Sequence, residues 1–407
     1  SYTGTGSSGN SITLGFEPQW LLIKDATSSG SWIILDNMRG LPVGGNVQEL
    51  FPHLSNAETT SGNTRIDLTP TGFTHTSSAT NYNKSGDTYI YMAIRRGSLV
   101  TPTDATKVFD AVLRTGTGGS ATITGVGFSP DFYLSKATNQ GGFNHILYDR
   151  LRGRRYLLTS SAGAEDGSDH GLVSFNMDGV SVEGGSNYGL DGSGDSIINW
   201  FWKRAPGYFD MVAYTGNGTA GRTVSHNLGV KPEMMWVKAR SNSVSWGVYH
   251  KDLGATKYLR LNYDFNASTN IDPWNNTEPT SSVFTVEDGT TSNANNYTYI
   301  AYLFATVAGV SKVGSYTGNG SSQNIDCGFS NGARFVLIKR TDSADNWLVF
   351  DTARGINAGT DPYLKLDTTD AETNTTDYID PYSSGFTLTS ETQTNGSGAS
   401  YIFYAIA

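Results

Sequence analysis

One cysteine, Cys327, stands in 407 residues, which excludes an internal disulfide framework. Basic residues are also scarce, at 28 Lys and Arg against 37 Asp and Glu for a net charge of −9. A nucleic-acid binder needs a basic face to neutralise phosphates, and the sequence shows none. No apolar run approaches the roughly 20 residues of a membrane span, and no signal peptide or block of positive charge stands at the start. Long runs of helix formers are missing too, leaving Val47–Leu54 as the one fair helix candidate.

What is abundant points elsewhere. The 48 Gly, 22 Tyr and many Ser, Thr and Asn predict an all-β protein with frequent turns. The phrase YTGNG occurs at Tyr214–Gly218 and Tyr316–Gly320, with looser copies at Tyr2–Gly6 and Arg114–Gly118. Each copy opens a stretch of about a hundred residues, and the four stretches resemble one another throughout. A turn follows the phrase, with Pro18, Pro130 or Pro232 just ahead of a strand that ends on Lys24, Lys136 or Lys238. The fourth copy substitutes Asn331-Gly332 and ends on Lys339. Cys327 occupies the column of Leu14, Val126 and Leu228, so it reads as a small buried hydrophobe.

About six short strands per copy predict four tandem antiparallel β-sandwiches of jelly-roll or immunoglobulin-like size: residues 1–97, 109–207, 208–309 and 310–407, with 98–108 as a linker. They are expected as beads; two adjacent repeats forming one larger jelly roll is the alternative. Each last strand is apolar on both faces. The face of Ile90, Met92 and Ile94 is assigned to the core, with its counterparts Ile198, Trp200 and Trp202; Ile300, Tyr302 and Phe304; and Ile402, Tyr404 and Ile406. The opposite face, with Tyr89 and Tyr91 or Tyr401 and Phe403, is expected to meet another copy of the chain. Repeat 1 has only Ser1 before its opening phrase, which predicts that the chain belongs to a longer or processed polypeptide.

Candidate chemistry sits at one strand end, in WIILDNMRG, HILYDRLRG, WGVYHKDLG and WLVFDTARG. Asp36 and Arg39, Asp149 and Arg152, and Asp351 and Arg354 fill two columns, with His250 and Leu253 as the exceptions. With Trp32, Trp246 and Trp347, these residues have the makings of a saccharide site: a planar aromatic face beside fixed polar groups. The competing reading is an Asp capping its own turn and paired with its Arg, which repetition in successive domains favours. The acidic loops Ala164–Gly171 and Leu190–Ser196 are the candidates for calcium, though no EF-hand pattern is present; no other cofactor is expected. The six His show no metal-ligand spacing and no nucleophile motif surrounds a Ser, so no catalytic residues are assigned and a non-enzymatic protein is expected.

The combination of YTGNG, the LIKR strand end, WLVFDTARG, and AIRRG followed by TPTDATKVF resembles tandem domains in tailed phages of marine bacteria, cyanophages especially. It spans essentially the whole chain. The resemblance implies a virion structural protein, such as an extracellular tail or surface fibre, that is homotrimeric and contacts other virion proteins. It also implies a role in attachment to the host but names no ligand; the alternative is a glycan-binding lectin or adhesin on a phage or bacterial surface, with a host cell-surface glycan as its partner.

Overall fold

The computed structural model describes residues 1–60, 65–95, 97, 100–166, 171–184, 189–269 and 273–407. It is almost entirely antiparallel β-structure, and all four repeats share one plan. In repeat 4 the last strand, Ser400–Ile406, lies between Ser311–Thr317 and Phe335–Arg340, and Leu348–Asp351 continues the sheet. A second sheet of Gln323–Asp326, Gly385–Leu388 and Ile379–Tyr382 packs its apolar side onto the first. The interior holds Ile325, Val336, Phe350, Phe386, Tyr401 and Phe403, with Cys327 buried among them. Burial raises the Cys327 thiol to about 12, so it is an inert core residue. These are β-sandwiches, as the spacing of strands and turns predicts.

The opening phrase is a backbone knot. A Cβ on Gly4, Gly116, Gly216 or Gly318 would fall onto the carbonyl oxygen of Lys84, Gly192, Ala294 or Gly396, which explains the first glycine of the phrase. The next residue donates its N–H to a buried side chain nearly eighty positions later: Thr5 to Asn83, Thr117 to Asp191, Asn217 to Asn293 and Asn319 to Asn395, at 2.9–3.1 Å. The tyrosines of the phrase complete it, with Tyr2, Tyr214 and Tyr316 donating to the carbonyls of Tyr82, Ser292 and Thr394. Each repeat is thus clasped shut between its first and last fifths.

Two expectations are corrected. The sandwich interior takes the other face of the last strand: Tyr299, Ala301 and Leu303 in repeat 3, and Tyr401, Phe403 and Ala405 in repeat 4. The face of Ile198, Trp200, Ile300, Tyr302, Ile402 and Tyr404 points out of its own sandwich, yet it is buried. A strand covered on both sides is apolar on both, so alternation alone could not say which face is inner. The segment Val47–Leu54 is not a helix either. Gln48–Glu49 is a short strand, Leu50 bridges to Ile34, and Pro52 follows. Among the described residues the α-helical turns are Thr80–Asn83 and Thr392–Asn395, each carrying the buried Asn of the knot, and Ala105–Lys107 is a turn of 3-10 helix.

The chain divides into two compact units. One comprises Ser1–Ser98 with Asp149–Arg154, and the other Leu99–Tyr148 with Arg155–Ala407. In the first, the edge strand Tyr2–Thr3 pairs only with Thr88 and Tyr89 of the last strand, Thr88–Arg95. In the second, the strands Phe109–Thr115, Phe209–Thr215 and Ser311–Thr317 each pair along the whole of their last strand.

Repeats 2, 3 and 4 are fused within the second unit. One backbone bond is repeated three times between them: Glu165 N–H to Arg240 O, Ala267 N–H to Thr341 O, and Glu372 N–H to Thr138 O, at 2.7–2.9 Å. The donors occupy one column of the repeat and the acceptors another. Repeat 2 therefore joins 3, 3 joins 4, and 4 returns to 2, which closes a ring with approximate threefold symmetry. Its axis is lined by the outward faces of the last strands and their neighbours. Phe132 meets Tyr302 at 5.0 Å, Phe304 meets Tyr404 at 5.1 Å, and Trp202 meets Phe335 at 5.5 Å, one pair for each junction. Repeats 2, 3 and 4, expected as separate beads, are here a single body, because each of these sandwiches carries a second apolar face that its two neighbours cover.

Candidate functional site

The Asp/Arg columns build a turn. Asp351 Oδ1 accepts the N–H of Arg354 at 2.9 Å, and Oδ2 accepts its Nε at 2.6 Å. The guanidinium then reaches Val349 O at 2.9 Å and Glu372 at 3.1 Å. Asp36 and Arg39 repeat this pattern, with Ile34 O and Glu58 as the further partners. Asp149 and Arg152 pair at 2.5 Å, both fully buried. An Asp side chain that accepts the N–H three residues on closes a tight strand-to-loop turn, and the Arg, donating its Nε–H to the other oxygen, neutralises it.

Repeat 3 departs at both positions together. His250 Nδ1 accepts the N–H of Asp252 at 3.2 Å, so a neutral imidazole caps the turn. With no carboxylate to neutralise, the Arg column holds Leu253. Burial pushes His250 down to about 3, consistent with a ring that accepts rather than carries charge. His145 is likewise held well below its ordinary value, first by burial and then by Lys136.

The tryptophan column faces the neighbouring repeat. Trp246 Nε1 donates to Leu158 O and Trp347 Nε1 to Arg260 O, both at 3.0 Å. These two indoles are buried, so a sugar ring could stack on them only if the ring of repeats opened. Asp351 also serves the ring, accepting Trp200 Nε1 from repeat 2 at 3.0 Å. The Arg354 guanidinium lies 5.6 Å from the centre of the Trp200 ring. Trp32, in repeat 1, is 36% exposed. The ten nominated residues therefore do not converge on one cleft; they repeat one turn and one docking contact.

A different surface has the makings of a ligand site. Tyr263 and Phe265 stack 5.0 Å apart and within 5° of parallel, and both are exposed. Arg260 lies 5.9 Å from the centres of the Tyr258 and Tyr263 rings. Tyr258, Arg260, Phe265, Asn266, Ala267 and Ser268 line an open depression of about 350 Å³. Its signal in the sequence is a pair of aromatic residues in a loop where the corresponding repeats carry Ser161 and Thr368 opposite Tyr263.

Among the described residues no three His, Cys, Asp or Glu side chains come together as a metal site. Part of the candidate calcium loop Ala164–Gly171, residues 167–170, lies outside the described residues. In the other loop, Asp191 accepts from Thr117 Oγ1 at 2.6 Å and pairs with Arg114. Asp191 thus belongs to the knot of repeat 2. No described helix is long and apolar enough to cross a membrane.

A family model described as a domain of unknown function, DUF7483, matches residues 1–96 and 104–407, and the chain belongs to that family. No curated protein and no solved structure matches it.

Proposed function

We propose that this DUF7483 protein is a non-catalytic structural component of a virion fibre, acting without a cofactor and presenting an attachment surface. The observation that carries the structural part is the threefold-repeated junction of repeats 2, 3 and 4. Residues with the chemistry for a site, Asp351, Arg354, Trp246 and Trp347, are engaged in turns and in junctions between repeats. A chain built this way puts its polar groups into rigidity, which suits a load-bearing part. The virion location rests on the resemblance of its motifs to tandem domains of phages of marine bacteria. Cryo-electron microscopy of intact particles, with a labelled antibody fragment against this chain, tests the location. Density on a fibre supports the reading, and purified particles that lack the chain refute it.

The attachment part has its best candidate in Tyr263, Phe265 and Arg260. Two stacked exposed rings beside a guanidinium and the polar groups of Asn266 and Ser268 match the needs of a saccharide. These features support a glycan-binding reading on repeat 3 rather than on the tryptophan column. A glycan array with the wild-type chain and with a Tyr263→Ala/Phe265→Ala variant tests it. Binding lost in the variant supports the assignment, and an array with no signal or with unchanged signal refutes it.

A further inference from the structure

In repeat 1 the outward face of the last strand is bare. Ile90, Met92 and Ile94 are 44%, 53% and 47% exposed, whereas Ile198, Trp200 and Trp202, Ile300, Tyr302 and Phe304, and Ile402, Tyr404 and Ile406 are buried at the same positions. The neighbouring strand adds Trp20 and Leu22, which occupy the columns of Phe132 and Leu134, Met234 and Trp236, and Phe335 and Leu337. Three alternate aliphatic side chains standing in water on one strand, with a partly buried Trp beside them, form a contiguous apolar patch of the kind that marks an interface.

The other three repeats show what covers such a face. Each has two sandwiches of its own kind against it, joined in a closed ring. We infer that the first repeats of three chains form the same ring, giving a homotrimer whose axis is lined by Trp20, Leu22, Ile90, Met92 and Ile94 of each copy.

The junction contacts carry over by register. Leu50 bridges to Ile34 as Leu259 bridges to Val248, so Phe51 stands in the column of Leu158 and Arg260. Trp32 stands in the column of Trp246 and Trp347, whose indoles donate to those two carbonyls. Trp32 of one copy therefore donates to Phe51 O of the preceding copy, as Trp347 of repeat 4 donates back to Arg260 O of repeat 3. In the same way, Thr59 pairs with Glu49 as Ser268 pairs with Tyr258, which puts Glu58 in the column of Ala267. Ala26, two residues beyond Lys24, stands in the column of Arg240 and Thr341. Glu58 N–H then meets Ala26 O of the next copy, the counterpart of Ala267 N–H to Thr341 O. Both Ala26 and Glu58 are exposed, and Trp32 is the exposed member of its column. The same junction closes after three steps in repeats 2, 3 and 4, so the assembly stops at three with no donor and no acceptor of the junction unmatched.

This inference concerns one surface and stands whether or not the chain belongs to a virion. Sedimentation equilibrium of the Ser1–Ala407 chain at 1–50 µM tests it. The expected mass is three times the 43.7 kDa of the chain. Met92→Asp and Trp32→Ala, both at exposed positions, are expected to weaken association at least tenfold without moving the melting temperature of the monomer. Met177→Asp, at an exposed position on another surface, is expected to leave the trimer intact. An Ala26→Cys/Glu58→Cys variant is expected to run as a covalent trimer on a non-reducing gel after mild oxidation, while the wild type, with Cys327 buried, does not. A monomeric or dimeric wild type, a trimer that survives Met92→Asp and Trp32→Ala, or a double-cysteine variant without cross-linked trimer would overturn it.

Discussion

The indole of Trp200 donates to Asp351 at 3.0 Å across 151 positions of sequence, tying the last strand of repeat 2 to the capped turn of repeat 4. Removing the donor takes away one of the two bonds to a buried carboxylate oxygen, leaving Arg354 Nε as its partner, so Trp200→Phe is expected to destabilise the ring by about 1–3 kcal/mol. Urea unfolding read by far-UV circular dichroism checks this.

The same turn in different surroundings predicts different costs. Arg354 and Asp351 are both buried, so Arg354→Met strands a carboxylate and is expected to cost about 3–5 kcal/mol. The Arg39 and Asp36 side chains retain 24% and 15% exposure, and water solvates what the mutation uncovers. Arg39→Met is expected to cost about 1 kcal/mol or less. Melting curves of the two variants should separate clearly, and equal shifts would contradict the role given to burial.

Gly216 is required by close approach rather than by φ. A Cβ there falls onto Ala294 O, while one on Gly229, at φ +78°, meets nothing within 4 Å. Gly229→Ala is expected to cost only the backbone penalty of about 1–2 kcal/mol. Gly216→Ala is expected to cost more and to loosen the knot, seen as faster amide exchange at Asn217 and Asn293.

Acid stability follows from the buried histidines. Burial lowers His250 to about 3, and lowers His145, His75 and His226 as well. Between the folded and the ordinary value near 6.5 the unfolded chain binds protons that the folded chain refuses. Stability therefore falls as pH drops below about 6.5 and is fully present above it, with a slope of up to about 1.4 kcal/mol per pH unit for each such His. His250→Gln is expected to flatten the dependence of denaturation midpoints on pH between 4 and 6.5. An unchanged slope would mean that His250 is protonated in the folded chain.

The fourfold repeat, the all-β class and the place of the turns were legible in the sequence, because they are written in local chemistry. Glycine columns, prolines ahead of strands and alternating apolar positions act on their immediate neighbours. The capped Asp/Arg turn was legible for the same reason, since both partners lie within four residues. The clasp between the opening phrase and Asn83, Asp191, Asn293 or Asn395 was not, although those side chains recur at matching positions. An Asn in a polar loop looks like any turn residue until the chain folds back on it. The tertiary structure also decided which face of the last strand is the sandwich interior. Period-two patterning separates two faces but cannot rank them when both are apolar, and only the closing of repeats 2, 3 and 4 shows what the second face is for. That closure gives Trp246 and Trp347 neighbouring carbonyls to reach, while Trp32, with the same place in its repeat, stays in water.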